Sequence, residues 1–245
     1  MTENPANAAL CSYLDWDSSF FERRIARLNA SRLEPAITKQ ALQWCAQNRI
    51  DCLYFLADSD DPQTTRLAEQ NRFQFVDVRV TYERAVASIG KEKTEANVRL
   101  AREEDVPLVA EIARTGHQDS RFYFDEHFDR LKCDRLYETW IRNSFHGFAD
   151  AVLVADSGQQ AAAYVTCKLT GSEAQIGLIG VHQAHRGKGL GSTLVTGFLS
   201  WARERGAVQA KVVTQGRNAG AQRLYQKSGF LLASSQLWYH RWFSP

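Results

Sequence analysis

Arg186-Gly187-Lys188-Gly189-Leu190-Gly191 sets three glycines at alternate positions with two cations among them. The stretch lies between an apolar run, Ile176 to Val181, and a helical pattern from Leu190 to Arg205. A Gly-rich turn leading from a strand into a helix presents free backbone N–H groups at the positive end of the helix dipole, which suits a pyrophosphate. Gly189 and Gly191 put no Cβ between backbone and phosphate, and Arg186 and Lys188 add positive charge. The spacing is not Gly-x-x-x-x-Gly-Lys-Ser/Thr, because no Ser or Thr follows Lys188, and it is not Gly-x-Gly-x-x-Gly. It predicts a diphosphate carrier other than ATP or NAD. Downstream, Asn218 reads as a helix N-cap, and Tyr225 follows it by two helical turns, so both project from one face.

The elements that must hold these residues are legible around them. Val98-Arg-Leu-Ala reads as a short strand, and Glu103-Glu-Asp-Val-Pro107 opens a helix with Asp105 as its cap and Pro107 near its first position. Leu136, Trp140, Ile141 and Phe145 keep helical spacing. Ala151–Ala155, Ala161–Leu169 and Gln175–Val181 read as strands, and the short turns between them favour an antiparallel meander. The helix after the Gly loop carries Leu190, Leu194, Val195, Phe198, Leu199 and Ala202 on one face and stops at Gly206. Lys211–Thr214 is the next strand, the Asn218 helix runs to Gly229, and Leu237–Phe243 closes the chain as an aromatic strand.

The 245 residues suffice for one large or two modest domains. With 44% apolar and 24% charged residues the chain reads as an ordinary globular protein, and a net charge of +2 argues against nucleic acid or an anionic membrane as main partner. No apolar run approaches the ~20 residues needed to span a bilayer, and Met1–Asn7 lacks the basic start and apolar core of a secretory signal. Five scattered cysteines without a Cys-x-x-Cys pair predict reduced thiols and a cytoplasmic location. The six histidines show no ligand spacing, so no metal is expected. A homodimer is compatible with the sequence.

A polar segment, Ser88 to Asn97, reads as a linker and divides the chain at 1–92 and 93–245. Across it there is a faint repeat: an offset of 157 residues lays Thr38–Arg84 over Val195–Arg241. Trp44/Trp201, Arg66/Arg223, Leu67/Leu224, Phe73/Phe230 and Tyr82/Tyr239 are among the identities, and the order helix, strand, loop, helix, strand is shared. The first half has no counterpart of the Gly loop and carries Ala68 where Tyr225 stands. It reads as a degenerate copy without a cofactor site.

The order strand, Arg-x-x-Gly-x-Gly, helix, strand, Asn218 and a helix with Tyr225 resembles the GCN5-related N-acetyltransferase (GNAT) superfamily from about Val98 to the C-terminus. The resemblance implies a mixed α/β fold with a splayed central mixed sheet, preceded by the smaller GNAT-like N-terminal α/β domain. It implies acetyl-CoA as cosubstrate. Leu178, Ile179 and Val181 would supply backbone contacts to the pantetheine arm, and Arg186, Gly187, Lys188, Gly189, Leu190 and Gly191 the phosphate cradle. Asn218 would hydrogen-bond the cofactor arm, and Tyr225 would protonate the departing CoA thiolate. Many relatives carry a Glu on the strand before the loop; Ile176-Gly-Leu-Ile-Gly-Val181 has no carboxylate. Asp119, Asp125, His127, His182 or water remain as proton acceptors. Cys167 as a covalent nucleophile has no His or Asp beside it in sequence.

Within that superfamily, Leu14-Asp-Trp-Asp-Ser-Ser-Phe-Phe21, Asp119-Ser-Arg-Phe122 and Leu136-Tyr-x-x-Trp140-Ile-x-Asn143 followed by Gly147 look like dTDP-fucosamine N-acetyltransferases of surface-polysaccharide synthesis. That implies a dTDP-4-amino-4,6-dideoxyhexose, a small nucleotide-sugar amine, as acceptor. Arg121 would pair with its diphosphate, and Phe122 or Tyr123 would stack on its sugar or base. Trp16, Phe20 and Phe21 read as core of the N-terminal domain. The alternatives are an acetyltransferase of protein or peptide amines and a non-catalytic acyl-CoA sensor.

Overall fold

The computed structural model describes residues 9–86, 98–158 and 160–243; the linker read at Ser88–Asn97 and the segment Met1–Asn7 lie outside them. The chain divides into two compact units, one of Met1–Arg79, Arg121–Lys132 and Ser235–Pro245, the other of Val80–Ser120 and Cys133–Ser234. Among the described residues no helix is long and apolar enough to cross a membrane.

The first unit is built on strands β1 (Cys11–Tyr13), β2 (Ile25–Leu28) and β3 (Cys52–Asp58), with helices α1 (Asp15–Phe21), α2 (Pro35–Gln47) and α3 (Pro62–Gln70). Proline at the first turn of α2 and α3 costs no hydrogen bond there, and Asp61 caps α3 by accepting the N–H groups of Gln63 and Thr64. β1 runs antiparallel to β2, and β2 parallel to β3 through the α2 crossover. Residues of β3 alternate between two buried faces: Leu53, Phe55 and Ala57 join Ala41, Cys45 and Phe73 in one core, while Tyr54 meets Phe122, Phe128 and His240. Burial on both sides explains the unbroken apolar run of β3. Phe21 is core as expected, whereas Trp16 is 40% exposed and stacks on Phe20.

In the second unit β5 (Val98–Leu100), β6 (Ala151–Ser157), β7 (Gln160–Thr170) and β8 (Glu173–Val181) form the expected antiparallel meander. β9 (Gln209–Gln215) lies parallel to β8. Helix α4 (Val106–Gly116) packs on β7 and β8, α6 (Arg130–Asn143) continues into a π-type turn at Ser144–Phe148, and α7 (Leu190–Glu204) packs on β6, β7 and β8. Helix α5 (Arg121–Phe124) belongs to the first unit, and α8 (Ala219–Lys227) follows β9. Asp105 does not cap α4 directly: it accepts the Arg102 N–H at 2.7 Å, closing a 3-10 turn at Glu103–Asp105, and pairs with Arg99. Arg99 also pairs with Asp156 of β6, so one guanidinium ties β5, β6 and the entry to α4.

Strands β4 (Gln74–Ala85) and β10 (Leu231–Trp242) each have residues in both units. In the first unit, β10 pairs antiparallel with β3, from Gln236 opposite Asp58 to Trp242 opposite Cys52. In the second unit, the neighbour of β9 is β4, with Val86 N–H donating to Val208 O and Gln209 bonded to Glu83. β3 thus lies beside the strand that closes the second half of the chain, and β9 beside the one that closes the first.

Candidate functional site

The Gly-rich turn has the conformation its composition calls for. Gly187 (φ 77°) and Gly189 (φ 84°) both lie in the left-handed region, where a side chain is strained. Gly189 is the N-cap of α7, and no side chain caps the helix, so its first-turn donors keep no side-chain acceptor. Arg186 and Lys188 are exposed, and Arg186 Nε donates to Val181 O at 3.4 Å. Leu190 is buried and anchors the turn. At Gly191 a Cβ would stand 3.1 Å from Leu224 Cδ2, so its lack lets α8 pack closely on α7.

β8 and β9 pair only from Glu173–Ile176 against Gln209–Val212. Beyond Ile176 they part, and among the described residues the second half of β8 has no strand partner on that side. A bulge between Val165 and Cys167 sets Thr166 opposite both Gly177 and Leu178. The Leu178 N–H donates to Thr166 Oγ1 at 2.8 Å, so that amide is committed and only the carbonyl of Leu178 remains for the contact expected of it. Ile179 and Val181 lie opposite Val165 and Ala163.

Gly180 is fixed by packing. Its Cβ would approach Tyr164 Cε1 to 2.7 Å and Ile112 Cγ2 to 3.2 Å, and Tyr164 is fully buried. Gly180→Ala is expected to cost about 1–3 kcal/mol by overpacking, read as a lowered urea midpoint; an unchanged midpoint would mean that Tyr164 yields freely.

Asn218 caps α8 by accepting the Ala221 N–H at 3.0 Å. Tyr225 lies in the last turns of α8, 2% exposed, with its ring 6.1 Å from those of Tyr82 and Phe230. Burial pushes its phenol upward, so it holds its proton until a strong base appears. Cys167 is fully buried and its thiol is likewise pushed up, the opposite of an activated nucleophile.

The structure does not bring Arg121, Phe122 and Tyr123 into the unit that holds the loop; they belong to the first unit. Phe122 (1% exposed) and Tyr123 (8%) are buried, and the Phe122 ring meets Phe21, Tyr54 and Phe128. The guanidinium of Arg121 lies over Phe122, Trp238 and Tyr54, at 4.2, 4.4 and 5.0 Å from their ring centres. Its Nε donates to His240 Nε2 at 3.2 Å, which places the His240 proton on Nδ1, bonded to Asp125 at 2.6 Å. Asp125 also accepts from Trp242 Nε1 and from His127. Desolvation pulls His240 down to about 4, and its contacts with His240, Trp242 and His127 hold the Asp125 carboxyl well below the usual range despite burial. Of the residues weighed above as proton acceptors, Asp125 is thus buried in the first unit, and His127 is bonded to it from the surface. His182 caps the turn after β8 by accepting the Ala184 N–H, and Asp119 is exposed.

One cluster escaped sequence reading. His117 at the end of α4 bonds the Tyr164 hydroxyl at 2.8 Å and stacks on Tyr137 of α6, with ring centres 4.5 Å apart. Tyr137 in turn meets the edge of Trp140 at 5.3 Å. Trp140, Ser144, Gly147, Phe148 and Leu178 help line a cavity of about 520 Å³ against the β7–β8 bulge. The Leu136–Gly147 motif pointed at this wall; nothing in sequence joined it to His117 or Tyr164.

A meander whose last strand parts from a parallel neighbour beside an uncapped Gly-rich helix start is the architecture of an acetyltransferase domain. Residues 111–230 match the Acetyltransferase (GNAT) family. The chain is 26% identical over 138 residues to the spore coat polysaccharide biosynthesis protein SpsD of Bacillus subtilis, which covers 56% of this chain and 48% of that one. It is 28% identical over 108 residues to the mycothiol acetyltransferase of Clavibacter sepedonicus, covering 44% of this chain and 34% of the other. The matches thus span half or less of the length of these curated relatives. Among solved structures, a GCN5-related N-acetyltransferase from Sphaerobacter thermophilus has a TM-score of 0.70 at 14% identity, covering 96% of this chain and 76% of that one.

Proposed function

We propose that the protein transfers an acetyl group from acetyl-CoA to the amine of a nucleotide-linked amino sugar of the dTDP-4-amino-4,6-dideoxyhexose type. The observation that carries the reading is the parting of β8 from β9 directly before the Gly187–Gly189 turn. The free edge of β8 suits an extended pantetheine arm, and the first-turn amides of α7 with Arg186 and Lys188 suit its pyrophosphate. The amine attacks the thioester directly, and Tyr225 returns a proton to sulfur. The residues fit such a donor: a Cβ built at Gly187 or Gly189 would meet no heavy atom within 4 Å, so the space beside the turn is open.

A sugar acceptor is supported by the Leu136–Gly147 motif, which lines the cavity at the bulge with Trp140 and Phe148, and by the likeness to a protein named for polysaccharide biosynthesis. In this reading Arg121, whose Nε donates to His240, is the cation for the acceptor's diphosphate, and Phe122 or Tyr123 beside it is the stacking group. Five free, buried cysteines accord with a cytoplasmic enzyme. In this reading the first half is a degenerate copy of the second: α2, β3, α3 and β4 repeat the order of α7, β9, α8 and β10. The mutual arrangement in which β3 neighbours β10 and β9 neighbours β4 supports it.

Thiol release from acetyl-CoA, followed with a panel of nucleotide amino-sugars, simple amines and peptides, tests the reading. Turnover with a nucleotide amino-sugar is expected. Turnover with peptides alone overturns the acceptor, and acetyl-CoA binding without turnover of any amine identifies an acyl-CoA sensor.

A further inference from the structure

The β8 strand brings no carboxylate to the reacting centre, because its residues from Ile176 to Val181 are all apolar or glycine. The space over Gly180 is instead filled from β7: Tyr164 Cε1 and Cζ would lie 2.7 and 3.1 Å from a Cβ at that position. The hydroxyl beyond Cζ is held by His117 Nε2 at 2.8 Å. A titratable pair therefore covers the strand one residue beyond Ile179, which the acetyl-transfer reading sets against the pantetheine arm. We propose that His117, bonded to the Tyr164 hydroxyl, is the proton acceptor for the incoming amine. This rests on the acetyl-transfer reading and deepens it.

The charge state suits the task. The groups acting on His117 are Tyr164 of β7, Tyr137 of α6 and Arg186 of the loop. Desolvation first, and the Arg186 charge second, draw the imidazole down to about 4, so at neutral pH it is unprotonated and able to accept. Its ring is only partly buried, whereas Tyr164 is fully enclosed. The stack on Tyr137 fixes the ring plane, and Gly180 explains why Tyr164 fits there.

With Nε2–H of His117 donating to the Tyr164 oxygen, one ammonium proton passes to Nδ1 of the same ring, leaving a neutral amine and an imidazolium. The amine nitrogen then bonds to the thioester carbon and the C–S bond breaks. Sulfur takes a proton from Tyr225, and the second nitrogen proton restores Tyr225 through water. The imidazolium releases its proton to solvent, so each turnover yields one amide, one thiol and one proton.

The full chain is assayed with whichever amine of the panel is turned over fastest, or, if none is, by the hydrolysis of acetyl-CoA, in which water must also lose a proton. His117→Ala is expected to lower the rate about 100-fold with acetyl-CoA binding unchanged, and added imidazole is expected to restore it with dependence on imidazole's free-base concentration. Tyr164→Phe, which keeps the ring over Gly180, is expected to lower the rate in the same direction. A rate loss that imidazole does not relieve, or a rate that neither substitution changes, overturns the proposal. Failure of the acceptor reading alone shows as turnover of peptides with the His117 effect intact.

Discussion

Tyr225→Phe is expected to lower turnover about 100-fold or more while leaving the affinity for acetyl-CoA within about twofold. The substitution keeps the ring between Tyr82 and Phe230 and removes only the hydroxyl. A phenol raised by burial stays protonated through binding and gives up its proton only when the sulfur becomes a thiolate. The loss should therefore fall on turnover, with little change in binding. Thiol-release kinetics and calorimetric titration of CoA separate the two. Unchanged turnover would remove Tyr225 from the mechanism; a parallel loss of binding would make it a packing residue.

The second large effect is expected in the first unit. Asp125→Ala should destabilise that unit by about 3–5 kcal/mol, because it strips the partner from a buried, hydrogen-bonded cluster. Asp125 is 4% exposed and accepts bonds from His240, Trp242 and His127. Urea unfolding read by tryptophan fluorescence measures the loss, and a change under about 1 kcal/mol would show the cluster to be dispensable.

The same cluster sets a pH dependence. His240 is fully buried, and its folded value is lowered from the ordinary 6.5 to about 4. Between these values the unfolded chain binds more protons, so stability is complete above 6.5 and declines as the pH falls toward 4, by about 3 kcal/mol. Asp125 is also lowered, so its contribution is present above the usual carboxylate value and is lost only in stronger acid. A stability curve flat from pH 7 to pH 4.5 would contradict the His240 assignment. His240→Gln should flatten the curve at the cost of part of the Arg121 anchorage.

The fold was legible where short-range chemistry decides it. The meander, α7, β9 and α8 follow from alternation, helical spacing and turn residues, and each of these acts over a few positions. The Gly-rich turn is equally local: glycine at 187 and 189 is what a positive φ requires. Gly191 shows the limit, because its role depends on Leu224, a residue brought to it only by packing of α8 on α7.

Sequence by itself determined the Gly-rich turn, the helix after it and the Asn218 cap, because sterics and backbone hydrogen bonds within a turn or two specify them. Only the tertiary structure decided the strand partners, the burial of Phe122 and Tyr123, and the meeting of His117 with Tyr164. Alternating apolar strands such as β4 and β10 fit several neighbours equally well by pattern, so the choice between them rests on long-range packing. His117 and Tyr164 are separated by 47 residues, and only the docking of α4 on β7 puts one ring against the other.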